Sequence, residues 1–100
     1  MQAKTYKLKA KVWKSPGFGG WHFVTVPHRQ SAEITKLFGD QKRGWGSLPV
    51  KVKVGKTTWL TSVFPDKKIG AYLMGIKAVV RKKENIRVRD EIALTLEIQP

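Results

Sequence analysis

The sequence predicts a mainly β fold, a small closed or nearly closed six-stranded β-barrel with two short helices. Six segments show the polar and apolar alternation, or the aromatic and β-branched content, that is typical of strands, whereas two show helical spacing. An open sheet of this kind in a chain of 100 residues would expose two edges, and closure into a barrel removes both. We therefore expect residues 1–100 to form a single β-barrel domain.

The first predicted strand runs from Lys4 to Lys14 and has the clearest alternation. One face is apolar and the other is rich in lysine: Tyr6, Leu8, Ala10 and Val12 against Thr5, Lys7, Lys9 and Lys11. A period of two indicates a strand with one buried face. The glycine-rich SPGFGG segment predicts a loop, and the aromatic and β-branched residues of WHFVTVP predict a second strand that ends at Pro27.

A short helix is predicted from His28 to Phe38, where the apolar residues change to helical spacing. Ile34, Leu37 and Phe38 form its apolar stripe, and Gly39 stands where a helix C-terminus favours a left-handed residue.

The segments LPVKVKVG and KTTWLTSVF predict a hairpin that turns at Gly55, with valines inward and lysines outward. The segment PDKK predicts a turn and AYLMG a short strand.

Residues 76–84 predict a second helix with two faces. We expect Ile76, Val79 and Val80 on the buried face, and Lys77, Arg81 and Lys83 on the solvent face. The chain ends in EIALTLEI, a strand whose alternate residues face the core: Ile92, Leu94, Leu96 and Ile98.

Net charge is the extreme feature of the composition. The chain has 20 Lys and Arg against 7 Asp and Glu, a net charge of +13 and an isoelectric point near 10.4. Such a field attracts polyanions such as nucleic acid, although a basic but merely solvated surface has the same composition. The sequence lacks cysteine, a long apolar segment and a signal peptide. We therefore expect a cytoplasmic protein without a membrane span, a disulfide or a cysteine-ligated metal.

Catalytic constellations are not evident in the sequence. His22 and His28 are the only imidazoles, and neither has a carboxylate near it in sequence. The adjacent acids Asp90 and Glu91 are predicted to point to opposite faces of a strand, so they cannot act as a local pair. We therefore expect no enzymatic activity, no cofactor and no metal site.

Most of the chain resembles a bacterial family of small β-barrels, the domain of unknown function 1905. Five segments carry the resemblance: AKVWKSPGFGGWHFVTVP (10–27), RGWGSLPVKVKVG (43–55), TTWLTSVFPDKK (57–68), AYLMGIKAVVRK (71–82) and RDEIALTLEI (89–98). The resemblance implies a barrel and supplies no function. This chain has Met74-Gly75 where the family usually has Leu-Pro, which implies a looser start of the second helix. It has Arg89 where the family usually has Gly; if that glycine has a positive φ, Arg89 lies in a strained left-handed backbone, and otherwise Arg89 has an ordinary backbone.

A shorter segment is similar to another family. Arg81, Ile86 and Asp90, followed by alternating apolar residues, resemble part of the AbrB-type transcription regulators, which are swapped-hairpin barrels that bind DNA as dimers. The similarity covers fewer than twenty residues, and barrel closure without DNA binding also accounts for such a pattern.

Two candidate sites follow from these observations. Trp13 falls on the lysine-bearing face of the first strand and Trp45 in a loop, whereas Trp21 and Trp59 are the best core candidates among the four tryptophans. The first candidate is a ligand-binding cleft in the barrel mouth, lined by Trp21, His22, Trp45 and Trp59. The second is a nucleic-acid surface formed by Lys7, Lys9, Lys11, Arg81, Lys82, Lys83 and Arg87. The first predicts a binding or interaction module of unknown partner, and the second a weak, sequence-indifferent nucleic-acid-binding protein.

Overall fold

A computed structural model describes residues 4–41 and 46–99, and within them the chain forms a closed barrel of six strands with two helices. The strands are β1 (Lys4–Lys14), β2 (His22–Thr25), β3 (Leu48–Val54), β4 (Thr57–Asp66), β5 (Ala71–Gly75) and β6 (Glu91–Ile98), and the helices are α1 (His28–Phe38) and α2 (Ala78–Glu84). Around the barrel the order is β1-β2-β5-β4-β3-β6, and every neighbouring pair is antiparallel. The predicted fold class is confirmed.

The ladders of the barrel differ greatly in length. β1 pairs with β6 from Lys4 to Lys11, and β3 pairs with β4 over the whole of β3. By contrast, the β1–β2, β2–β5 and β4–β5 ladders contain three residue pairs each. β1, β6, β3 and β4 therefore form one continuous sheet, which the short strands β2 and β5 close into a barrel.

The core follows from the alternation of each strand. Tyr6, Leu96, Val52 and Trp59 are successive cross-strand partners on β1, β6, β3 and β4, and all four are buried. Burial of a Leu or Val side chain contributes about 1.5–3 kcal/mol, so such layers provide most of the stabilisation of the barrel. The inward residues predicted for β1, β3 and β6 are buried as expected.

The two helices cover opposite ends of the barrel. At the end where β2 finishes, α1 buries Ile34 and Phe38. The Ser31 hydroxyl of α1 donates to the Val26 carbonyl (3.0 Å) and accepts from the Tyr72 backbone N–H (3.1 Å), which ties α1 to the start of β5. At the other end, α2 buries Val80.

Glu84, in the last turn of α2, holds the β3–β4 hairpin. Its carboxylate accepts a hydrogen bond from the Thr57 hydroxyl (2.6 Å) and lies where a Cβ on Gly55 would be, since that Cβ would be 2.0 Å from Glu84 Oε1. Gly55 has φ 57°, as the first central residue of a tight two-residue hairpin turn requires. The backbone angle therefore favours glycine at this turn, and a side chain there would displace the Glu84 carboxylate.

Two residues with left-handed backbones shape the connection from α2 to β6. Asn85 (φ 54°) ends α2, and Arg89 (φ 77°) lies in the following turn. That turn is docked on β1, because the Arg89 N–H donates to the Val12 carbonyl (2.8 Å) and the Val12 N–H donates to the Asp90 carbonyl (2.9 Å). Arg89 therefore has the left-handed backbone, one of the two alternatives that the family resemblance left open.

Three local predictions are wrong. Gly39 has an ordinary helical backbone (φ −60°), because the chain continues into a 3-10 turn over Gly39–Gln41 instead of reversing. Val79 is 52% exposed, because a helix as short as α2 turns only Val80 directly into the core. Pro65-Asp66 extends β4 by pairing with β5, so the turn lies at residues 67–70.

Candidate functional site

A cleft of about 390 Å³ opens on the side of the barrel between β4, the end of β5 and the start of α2. It exists because the β4–β5 ladder covers only Phe64 to Asp66 of β4, so the earlier part of β4 diverges from β5. The lining comes from three segments of the chain: Gly19, Gly20, Trp21 and Phe23; Trp59, Leu60, Thr61 and Phe64; and Gly75, Ile76, Lys77, Ala78 and Arg81. We call this the aromatic cleft.

One wall of the aromatic cleft is a row of stacked rings. Trp21 and Phe23 have ring centroids 6.3 Å apart and nearly parallel planes. Phe23 also packs against Trp13 at 5.0 Å, and the Trp13 indole N–H donates to the Thr25 hydroxyl (3.0 Å). The three rings therefore pack on one another as a continuous aromatic layer beside the cleft.

Large apolar side chains on the cleft walls are exposed to solvent. Trp21 is 62% exposed, Leu60 73% and Phe64 44%. Single exposed apolar residues are common on protein surfaces, but several around one concavity indicate an interaction site.

Gly75 leaves the floor of the cleft open. It pairs with Phe23 across the β2–β5 ladder, and a Cβ at this position would meet only the His22 carbonyl (3.9 Å) and an edge of the Phe23 ring (4.0 Å). These are ordinary van der Waals distances, so a side chain could be accommodated there and would project into the cleft.

Arg81 forms the cationic end of the cleft. Its Nε donates to the Ile76 carbonyl (3.0 Å) and its Nη1 lies 3.3 Å from His22 Nε2. Because a guanidinium only donates, Nε2 must be the accepting nitrogen of His22. The proton then lies on His22 Nδ1, which donates to the Gly20 carbonyl at 2.6 Å.

A basic surface lies on the β1–β6–β3 side of the barrel. Lys7, Lys9 and Lys11 are exposed on β1, and Lys53 of β3 faces Lys7 across Thr95 of β6. We call these four lysines the lysine face. The ion pair between Lys4 and Glu33 is the one salt bridge formed within residues 4–41 and 46–99, so the four lysines of the lysine face form no salt bridge there.

A family model described as a domain of unknown function (DUF1905) matches residues 9–96. The chain belongs to this family. A comparison of the DUF1905 domain with the curated proteins gives no match.

The DUF1905 domain brings together part of the predicted aromatic site. Trp21 and Trp59 both line the aromatic cleft, although Trp21 is largely exposed and the prediction that it lies in the core is wrong. It is exposed because it precedes β2 and packs on the outer face of Phe23. His22 is not part of the described cleft lining, but it contacts Arg81, which is. Trp45 lies outside the described residues.

The sequence analysis identified Trp59 on β4 but missed Leu60 and Phe64, which line the cleft from the same strand. Trp59 and Val63 face the core, so Leu60 and Phe64 must face outward. Two large apolar residues at outward positions of a strand are the signal that could have identified them.

The predicted basic residues divide into separate groups. Lys7, Lys9 and Lys11 form one row, whereas Lys82, Lys83 and Arg87 are exposed around the end of α2. Arg81 is partly buried and is directed to His22 and the aromatic cleft, so the prediction that it lies on the solvent face of the helix is wrong.

Two further findings concern the described residues alone. None of them form a group of three or more His, Asp or Glu side chains placed to hold a metal ion. Among the same residues no helix is long and apolar enough to cross a membrane.

Proposed function

We propose that this DUF1905 domain is a non-enzymatic binding module that holds the flat, apolar part of a small molecule in the aromatic cleft. The observation that carries the proposal is the convergence of Trp21, Leu60 and Phe64 on one concavity while each remains substantially exposed. A ligand between them would remove apolar surface from water, at about 25 cal/mol for each Å² covered.

The size and lining of the cleft support a small ligand. Its volume of about 390 Å³ lies in the lower part of the range of roughly 300–1,000 Å³ that small-molecule sites occupy. The described lining offers aromatic and aliphatic contacts together with cationic donors. These groups favour reversible binding over covalent chemistry, which requires a nucleophile beside a base.

Binding of 2-naphthalenemethanol, a neutral two-ring probe, tests this proposal. We expect it to shift the backbone amide resonances of Gly20, Gly75 and Ala78 in a ¹H–¹⁵N spectrum. Leu60→Ser should weaken binding severalfold without unfolding the barrel, because Leu60 is mostly exposed. Gly75→Leu should abolish binding, because its side chain fills the cleft floor.

Gly39→Leu is the matched control for the added side chain. Gly39 has a helical backbone, and a Cβ there meets only Thr35 Cγ2 at 3.8 Å. This variant should bind the probe as the parent does. Absence of binding to the parent, or equal binding by Gly75→Leu, would show that the aromatic cleft is not a ligand site.

Weak, sequence-indifferent binding of nucleic acid is a second candidate function, favoured by the lysine face. Alternate residues on a strand lie about 6.6 Å apart, so Lys7, Lys9 and Lys11 can follow a phosphate backbone. Thr95 and Ala93 of β6 lie opposite Lys7 and Lys9 and add no negative charge, whereas Glu91 lies opposite Lys11.

A salt titration with single- and double-stranded oligonucleotides tests this second candidate. The Lys7, Lys9, Lys11→Gln variant should reduce the slope of log affinity against log salt by about 0.7–0.9 for each lost phosphate contact. The control is Lys36, Lys67, Lys68→Gln, which removes the same charge from exposed positions outside the lysine face. If the slope of log affinity against log salt is the same in the two variants, any binding depends on net charge alone and the lysine face is not a nucleic-acid site.

A further inference from the structure

We infer that the ligand of the aromatic cleft carries a carboxylate, which Arg81 receives at the cationic end while His22 positions the guanidinium. This inference rests on the proposed binding function and adds the chemical class of the ligand. It depends on three observations: the unused donors of Arg81, the way its guanidinium is fixed, and the distribution of charge around the cleft.

Arg81 has hydrogen-bonding capacity left for a ligand. A guanidinium carries five N–H donors, and the described contacts engage the Nε donor and one Nη1 donor. The remaining Nη1 donor and both Nη2 donors have no protein acceptor among the described residues. Two N–H groups in the plane of the guanidinium can bind both oxygens of one carboxylate.

His22 and the Ile76 carbonyl fix the plane of that guanidinium. They hold two of its nitrogens, and His22 is itself held by the Gly20 carbonyl. Arg81 is therefore oriented before a ligand binds, so less rotamer entropy is lost on binding than for a free surface arginine. His22 is a positioning residue, because it acts through Arg81.

The charge around the cleft is unbalanced. Lys77 and Arg81 are the cationic residues among its described lining, which includes no Asp or Glu. Glu84, the acid of the same helix, is engaged with Thr57 and seated against Gly55. A partly buried guanidinium without a protein carboxylate is complementary to an anionic group on the ligand.

The test compares two probes that differ in one group, 2-naphthoate and 2-naphthalenemethanol. The parent should bind the carboxylate about tenfold more tightly than the alcohol, as expected for a charge-assisted hydrogen bond. In Arg81→Gln this preference should disappear, because affinity for the carboxylate falls about tenfold more than affinity for the alcohol, and the remaining binding of the alcohol shows that the cleft is still folded. Lys83→Gln, which removes one charge from an exposed position on the same helix, should keep the preference.

His22→Ala tests the positioning role. It should reduce the preference for the carboxylate severalfold and leave affinity for the alcohol unchanged, because the aromatic walls remain. The Nε–H resonance of Arg81 should move in the same variant. An unchanged preference and an unmoved resonance would overturn the role of His22.

The outcomes separate this inference from the proposed function. Equal binding of the two probes to the parent overturns the carboxylate inference and leaves the binding module intact. Binding of neither probe overturns both. If Arg81→Gln still binds the carboxylate probe more tightly than the alcohol, Arg81 does not bind the carboxylate, and Lys77 is the cationic residue that does.

Discussion

Arg89 is a non-glycine residue in a left-handed backbone conformation, with φ 77°. The docking of its turn on Val12 of β1 imposes that conformation, which costs an L-residue with a Cβ about 1 kcal/mol. Arg89→Gly should therefore leave the free energy of unfolding unchanged or raise it by up to about 1 kcal/mol, because relief of strain outweighs the greater freedom of the unfolded chain.

Chemical denaturation measures this effect, with Arg87→Gly as the control. Arg87 lies in the same turn without a positive φ, so glycine there should lower the free energy of unfolding by about 0.5–1 kcal/mol. A loss at Arg89 as large as that at Arg87 would contradict the strain argument.

Tyr6 carries a buried hydroxyl that has no hydrogen bond of acceptable geometry among the described residues. Burial, followed by the negative charge of Glu33, raises the pKa of Tyr6 to about 12. The hydrogen bond from Lys4 lowers the pKa of Glu33, so this carboxylate stays charged.

The raised pKa of Tyr6 predicts a loss of stability at alkaline pH. Between pH 10 and pH 12 the unfolded chain releases the Tyr6 proton while the folded chain keeps it, so the free energy of unfolding falls as pH rises. Tyr6→Phe should remove this part of the fall in the free energy of unfolding, because the variant has no phenol to titrate. Urea melts across this pH range test it, and parallel curves for parent and variant would contradict it.

At the scale of the elements, β6 shows how the direction of alternate side chains determines their contribution to stability. Leu94 is buried between β1 and β3, whereas Thr95 faces outward between Lys7 and Lys53. Leu94→Ala should lower the free energy of unfolding by about 2–5 kcal/mol, and Thr95→Ala should change it by less than about 1 kcal/mol. Denaturant melts in which Thr95→Ala is the more damaging change would contradict this register.

The strands could be predicted from the sequence because alternation determines which side chains face the core. In β6, the apolar residues fall at every second position, so the direction of Leu94 follows from that of Ile92. Short helices carry less information: Val79 and Val80 are adjacent and chemically alike, and only the docking of α2 makes Val80 the buried one.

The aromatic cleft could be predicted only in part. Trp59 follows from strand alternation, but the exposure of Trp21 depends on how the chain enters β2. The contact between Arg81 and His22 joins α2 to β2, which are distant in sequence, so no local pattern indicates it. The opening itself results from the short β4–β5 ladder, a property of barrel closure.

At the scale of the whole molecule, positive charge is poorly compensated. The net charge is +13, and within residues 4–41 and 46–99 one ion pair forms, between Lys4 and Glu33. Self-repulsion of this kind weakens the compact state and is screened by salt.

The melting temperature should therefore rise as sodium chloride is increased from about 0.01 M to 0.3 M, since the Debye length falls from about 30 Å to below 10 Å over this range. Differential scanning calorimetry measures it. A melting temperature that falls over the same range would mean that attractive pairs outweigh the repulsion.

The long β1–β6 ladder also determines the order in which the barrel can form. It pairs Lys4 with Ile98 and Lys11 with Glu91, so it closes a loop that contains most of the described chain, whereas β3 and β4 are joined by two residues. Loop-closure entropy makes such contacts slow, while hairpins form in microseconds. In pulsed hydrogen exchange during refolding, we expect the amides of β3 and β4 to be protected before those of β1. Until β1 pairs with β6, the edge of β6 has free backbone N–H and C=O groups. The rate of β1–β6 pairing therefore determines how long this edge is available for pairing with a strand of another folding chain.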